Sequence, residues 1–194
     1  MIMEPKILST PLDYDGHEYQ TAHTMEIFNP ARPSHIVGLA AAASRALALE
    51  AVAAAKQAFP EWADTSPKYR AERLLAASET VMVGAEEEAA LLSAENGKVV
   101  GESTFDLMGL VQRTELACSL VDEVDAVEIL PGPPTETVVS HKPTGVVTII
   151  VPFNWPIAIL GASLPYALLA GNTVIVKPPP SAPLAITRAV IRFA

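Results

Sequence analysis

At 194 residues, half of them hydrophobic, the chain is long enough for one domain or slightly more and too apolar for wholesale disorder. Thirteen lysines and arginines against twenty-two acids give a net charge of −9 with no basic cluster, which argues against nucleic-acid or anionic-membrane binding. Cys118 is the single cysteine, so no intrachain disulfide can form, and a reducing, cytoplasmic compartment is expected. The opening MIMEPKILSTPLDYDG has an acid at Glu4, prolines at 5 and 11 and no apolar run, unlike a secretory leader.

In chain order, weak alternation over 17–29 predicts a strand or two, closed by an Asn29-Pro30 turn, and 36–39 predicts another short strand. The alanine-rich stretch 40–59 predicts a helix that Pro60 ends. Ser66-Pro67 opens the next helix, a serine cap followed by proline in the first turn. Its apolar stripe runs through Leu74, Leu75, Val81, Met82, Leu91 and Leu92, with Gly84 as a breaking point, and Glu95-Asn96-Gly97-Lys98 as a terminus. A further helix is predicted over 102–122, with Phe105, Met108, Val111, Leu116 and Leu120 on or near one face. Strands at 127–130 and 136–142 flank Pro131-Gly132-Pro133-Pro134.

From residue 143 to 176 no charge occurs, but a membrane span would need about 20 continuous apolar residues. Pro152, Asn154, Pro156, Pro165, Gly171 and Asn172 interrupt the stretch between two β-branched runs. A strand over 145–151 buried on both faces, a helix over 156–170 kinked at Pro165, a strand over 173–177 and a helix from 182 account for it. This βαβα order predicts an α/β fold, the start of a doubly wound, Rossmann-like parallel sheet preceded by a helical N-terminal segment.

The residue best placed for chemistry is Asn154, where the first of these strands gives way to its helix, since ligands gather at the carboxyl ends of parallel strands. Its amide there suits either a helix N-cap, which position alone favours, or hydrogen-bond donation to a developing oxyanion. Lys177 closes the second strand and reads as a surface lysine or as a cation meeting a ribose hydroxyl or phosphate. Cys118 lies within a predicted helix and reads as a small buried hydrophobe. His17, His23, His35 and His141 lack metal-ligand spacing, and Glu86-Glu87-Glu88 reads as a solvated helix face. Neither G-x-G-x-x-G nor G-x-x-x-x-G-K-[ST] occurs.

Pro152-Phe153-Asn154-Trp155-Pro156 resembles the P-W-N-F-P motif of the aldehyde dehydrogenase superfamily with its aromatic residues exchanged, and Ala170-Gly171-Asn172-Thr173-Val174-Ile175-Val176-Lys177-Pro178 resembles its A-G-N-T-V-V-L-K-P. Weaker agreement extends upstream through Asn29-Pro30-Ala31, Ala58-Phe59-Pro60-Glu61-Trp62 with Ser66-Pro67, and Glu95-Asn96-Gly97-Lys98. The resemblance covers the chain from about Ile27 onward. It implies an incomplete aldehyde dehydrogenase fold: residues 1–126 as the helical N-terminal part of the cofactor-binding domain, 127–142 as an oligomerisation hairpin, and 143–194 as the first βαβα of the NAD(P)-binding domain.

The same resemblance implies an oxyanion-hole role for Asn154, cofactor-ribose binding for Lys177, and a place in the cofactor-cleft wall for Val151, Pro152 and Phe153. One departure stands out. Pro180 takes the place of a glutamate that binds the ribose diol of NAD in many members, leaving open whether NADP is tolerated or cofactor affinity is lower. The family reaction oxidises an aldehyde through a cysteine thiohemiacetal, with a glutamate-activated water releasing the acid. The resemblance places that cysteine, that glutamate and the glycine-bearing phosphate site after Ala194, so the 194 residues alone are expected to be inactive. One half of a split enzyme and a non-catalytic assembly module are the alternatives.

Overall fold

The computed structural model describes residues 8–14 and 16–194, so half of the opening stretch compared with a leader lies outside the described residues. From Leu8 to Ala41 the described residues include the strands β1 (Leu8–Thr10), β2 (Leu12–Tyr14), β3 (His17–Tyr19), β4 (Thr24–Asn29) and β5 (Arg32–Ala41). β5 is central in a three-stranded sheet, parallel to β1 and antiparallel to β4, while β2 and β3 pair as a separate hairpin.

Five helices follow: α1 (Arg45–Asp64), α2 (Pro67–Val81), α3 (Ala85–Asn96), α4 (Val100–Cys118) and the short α5 (Val121–Asp125). α1 begins later than its composition predicts because Ala40 and Ala41 complete β5 and Ser44 caps the amide of Leu47. Pro60 lies inside α1 instead of ending it. The helix closes at Thr65, whose hydroxyl and amide both donate to the Trp62 carbonyl, while Trp62 Nε1 anchors this last turn to the Leu168 carbonyl at 3.0 Å. Ser66 caps α2 as predicted, and Gly84 and Gly97 adopt the left-handed conformation that separates α2, α3 and α4.

The buried face of α4 differs from the predicted one. Phe105 and Leu116 are exposed, and the helix buries Leu107, Leu110, Ala117 and Cys118 together with Ser103, Asp106 and Thr114. The apolar residues are too evenly spread around α4 to identify its inner face; polar groups with buried partners share that face. The stripe of α2 and α3 is likewise partial, since Leu74, Val81 and Leu92 are buried but Leu75 and Met82 reach the surface. Glu88 is 1% exposed rather than solvated, because the Arg188 and Arg192 guanidinium groups lie 2.6 and 2.8 Å from its Oε1. Burial raises its pKa and the two arginines lower it, with burial the larger effect.

The chain then forms an antiparallel hairpin of β6 (Val127–Gly132) and β7 (Thr135–Ser140), every residue of which is exposed. The predicted βαβα unit follows as β8 (Val146–Ile150), α6 (Pro156–Gly161), α7 (Leu164–Leu169), β9 (Thr173–Lys177) and α8 (Leu184–Phe193), with β8 and β9 parallel. The single kinked helix is in fact two short ones, broken before Leu164-Pro165, where the proline sits in the first turn of α7. β8 is not buried on both faces: Ile149 packs into the core with Val147 against it, whereas Thr148 and Ile150 point out, Ile150 being 72% exposed.

Two devices hold this unit. Asn172 Oδ1 accepts from the amides of Thr144 (2.7 Å) and Gly145 (3.1 Å), and its Nδ2 donates to the Ala167 carbonyl (3.0 Å), which ties the start of β8 to the α7–β9 turn. Arg70 of α2 is buried and donates to the carbonyls of Leu169 and Thr65. Among the described residues no helix is long and apolar enough to cross a membrane.

α4 and α6 approach through glycine. A Cβ on Gly109 would lie 2.7 Å from the Ala158 Cβ and 3.3 Å from its Cα. Gly109→Ala must therefore push the two helices apart, and thermal or urea unfolding should show a loss of about 1–3 kcal/mol, the usual range for overpacking a close contact.

Candidate functional site

The register pairs Ile150 with Lys177, so both strands end together and the segments 151–155 and 178–183 leave the same edge of the sheet. All six residues singled out from the sequence lie there. Val151 is buried as the last inward residue of the strand; Pro152, Phe153, Asn154, Lys177 and Pro180 are exposed. Phe153 and Pro180 share an open cleft of about 500 Å³ with Phe28, Glu95, Asn96 and Ser181. Val151 and Lys177 do not line that cleft.

Asn154 does not cap α6. The N-cap position is Trp155, in a non-helical conformation (φ −138°, ψ 62°), and no side chain caps the helix from it. Pro156 fills the first turn as predicted, which removes one amide that would otherwise need a partner. The capping explanation for an asparagine at this position is therefore set aside, and the polar side chain stands at an exposed strand-end turn.

A network whose residues the sequence reading gave no role at the site supports this turn. Lys98, just beyond α3, donates from Nζ to the Asn154 carbonyl (2.8 Å) and to Asp106 Oδ2 (2.9 Å), and lies 3.7 Å from the centre of the Trp155 ring. Asp106 Oδ1 accepts the Ala158 amide at 2.6 Å, and Asn96 Nδ2 donates to the Phe153 carbonyl at 2.6 Å. Burial pushes the Asp106 carboxyl above the usual range, while the Ala158 amide and Lys98 pull it down. The available signal was a carboxylate at Asp106 beside Leu107 and one helical turn before Leu110, since an acid on an inner helix face requires a partner.

A second carboxylate serves α8. Glu95 accepts the amide of Leu184 through Oε2 (2.7 Å) and that of Ala185 through Oε1 (2.8 Å). Both helices that start at this edge thus meet a buried protein carboxylate in their first turn, the place where an anionic ligand commonly sits. Lys177 is exposed at the end of β9, outside the Phe153–Pro180 cleft, whose lining includes Glu26 and Glu95. Cys118 is in the core, its Sγ 3.6 Å from the Ala71 carbonyl, with burial pushing the thiol up. Among the described residues no group of three or more His, Cys, Asp or Glu side chains is arranged to hold a metal.

Residues 17–193 match the sequence profile of the aldehyde dehydrogenase family. The chain belongs to that family. A 1-pyrroline-5-carboxylate dehydrogenase of Bacillus licheniformis is 31% identical over 182 residues, covering 91% of this chain and 34% of the relative. Among solved structures, the 1-pyrroline-5-carboxylate dehydrogenase from Thermus with bound NAD superposes with a TM-score of 0.90 at 30% identity, over 96% of this chain and 37% of the other. An aldehyde dehydrogenase from Brucella melitensis biovar abortus gives 0.90 at 26% identity, over 98% and 40%. This aldehyde dehydrogenase chain thus spans about a third of the length of the curated relatives it matches.

Glu95 makes a pH test of this edge possible. Burial, opposed by the two amides, pushes its pKa from 4.5 up to about 7. The folded chain then holds a proton that the unfolded chain releases nearer 4.5, so this group favours folding at low pH and the benefit is lost as pH rises through about 7. Across that window Glu95 should cost the wild type about 3 kcal/mol. Glu95→Gln should flatten the Tm–pH profile between those values, measured by circular dichroism.

Proposed function

We propose that this chain supplies the N-terminal and cofactor-binding part of an NAD(P)-dependent aldehyde dehydrogenase, which oxidises an aldehyde to a carboxylic acid. The observation that carries the reading is the shared edge where the exposed Asn154 turn and the segment after Lys177 emerge side by side. In this reading the Asn154 amide donates to the oxygen of the substrate carbonyl as negative charge builds on it, an effect large when the donor is preorganised. Lys177 would donate to the cofactor ribose, and Phe153, with exposed Pro152 and buried Val151 before it in the chain, would shape the cleft wall. A nicotinamide cofactor held here would supply the hydride acceptor. The thiolate that attacks the carbonyl and the carboxylate that activates water are not assigned to any of these 194 residues, since Cys118 is enclosed in the core.

Pro180 bears on the choice between NAD and NADP. It offers no acceptor to a ribose diol and no charge to repel a 2′-phosphate, so we assign no strong preference for NAD. The exposed β6–β7 hairpin carries Val127, Ile129, Leu130, Val138 and Val139 at the surface, which supports homo-oligomerisation through residues 127–142. Names of the relatives make 1-pyrroline-5-carboxylate the first substrate to try.

Purified alone, the 194-residue chain should show no aldehyde-dependent NAD(P)H formation; turnover would place a nucleophile among these residues and sink that division of labour. In the complete enzyme, Asn154→Ala should lower kcat by about 10²–10³, as loss of one oxyanion donor does elsewhere, with a smaller change in KM. Pro180→Glu should weaken NADP binding relative to NAD by about ten-fold, or roughly 1.4 kcal/mol, as measured by fluorescence titration of both nucleotides.

A further inference from the structure

We propose that Asn96 and Lys98 are positioning residues for Asn154, clamping the 153–155 turn so that its amide is held toward the strand edge; this rests on the reading of Asn154 as an oxyanion donor. An oxyanion donor works only when its direction is fixed before the charge develops, to within about 0.5 Å in well-built sites. Asn154 lies on a loop, without a capping bond to fix it. Its orientation must come from the backbone on either side.

That backbone is held from outside at each step. Asn96 takes the carbonyl before Asn154, at 2.6 Å. Lys98 takes the carbonyl of Asn154 itself, at 2.8 Å, and covers the ring of the residue after it, at 3.7 Å. Lys98 is fixed in turn: its side chain is 7% exposed and bonded to Asp106, which is fully enclosed. The other oxygen of Asp106 holds the Ala158 amide, so one carboxylate locks both the clamp and the first turn of α6. Both clamping residues come from the same tight junction, where Gly97 (φ 87°) reverses the chain between α3 and α4.

One lysine head thus joins the enclosed Asp106 to the backbone of Asn154. A buried ion pair is often no more stabilising than an apolar pair of similar volume. An ammonium only 7% exposed needs acceptors for three N–H donors; Asp106 supplies one and the Asn154 carbonyl another. The acceptor beyond Asp106 is the backbone of Asn154, the exposed polar residue in the turn that follows β8.

The test is nitrogen-15 relaxation on the 194-residue chain, reading the backbone and side-chain amides of Asn154. In the wild type both should have order parameters near 0.85, the rigid value, and in Asn96→Ala and in Lys98→Met/Asp106→Asn they should fall below about 0.6. The double substitution removes both charges together, so no unpaired ion is left inside. Leu110 and Leu160, buried in the same core, should keep their wild-type values, which separates a loosened turn from a loosened fold. Trp155 gives a second signal: in a Trp62→Phe background its emission should shift when Lys98 is replaced and stay fixed in Asn154→Ala. Unchanged order parameters at Asn154 in the double variant, or in Asn96→Ala if the double variant does not fold, overturn the proposal. Activity of Asn154→Ala in the complete enzyme addresses the oxyanion reading separately, so the two can fail independently.

Discussion

One carboxylate organises the functional edge of this molecule. Asp106 is fully enclosed, and an isolated charge in such a place is too costly to keep. It is retained because Lys98 stands at one oxygen and the amide of Ala158 at the other. Those partners impose conditions of their own. Lys98 can reach only if α3 stops at Gly97 and the chain doubles back; Ala158 can reach only if α6 lies hard against α4, which requires Gly109 to have no side chain. The turn carrying Asn154 is therefore set by contacts made some fifty residues earlier in the chain, and the strand that leads into it supplies only its starting point.

The helix N-termini at the same edge show how this departs from a phosphate-binding strand–helix turn. There, a glycine-rich loop leaves backbone amides open to an anion. In this chain Asp106 reaches into the first turn of α6 and Glu95 into that of α8. At these two helix starts internal carboxylates occupy the positions that a ligand's phosphate would take. In the proposed reading, a nucleotide at this edge would meet exposed Lys177 and the apolar faces of Phe153 and Pro180. The raised pKa of Glu95 follows from the same substitution, since its two amide partners only partly offset the water it has lost.

How much could be read from the sequence depended on whether the signal was local. The βαβα order, the serine cap at Ser66, the helix break at Gly84, the left-handed helix end at Gly97 and the β6–β7 hairpin are written in neighbouring residues, and all were legible. Pro60 misled because the breaking effect of proline is local, whereas the tie from Trp62 to Leu168 that steadies the last turn of α1 spans the fold. The inner face of α4 misled for a related reason. Hydrophobic spacing points to Phe105 and Leu116, but the face turned inward carries Ser103, Asp106 and Thr114, each satisfied by a specific partner. The positions at the sheet edge were legible because two motifs mark them; the clamp beneath them was not, since Glu95-Asn96-Gly97-Lys98 reads as a helix ending whether or not its side chains have a second task.

The surface left bare is the counterpart of this well-braced edge. β8 and β9 form a sheet of only two strands, and the outer face of β8 presents Ile150 to solvent. The β6–β7 ribbon buries none of its residues, yet carries β-branched side chains on both strands. Two-stranded ribbons are marginal alone, and β-branched residues at a free edge invite further pairing. A net charge of −9 opposes indiscriminate association of such surfaces. Pairing with a neighbouring subunit, as proposed for residues 127–142, extends the ribbon beyond two strands, while the bracing of Asn154 through α3 and α4 requires nothing outside the chain.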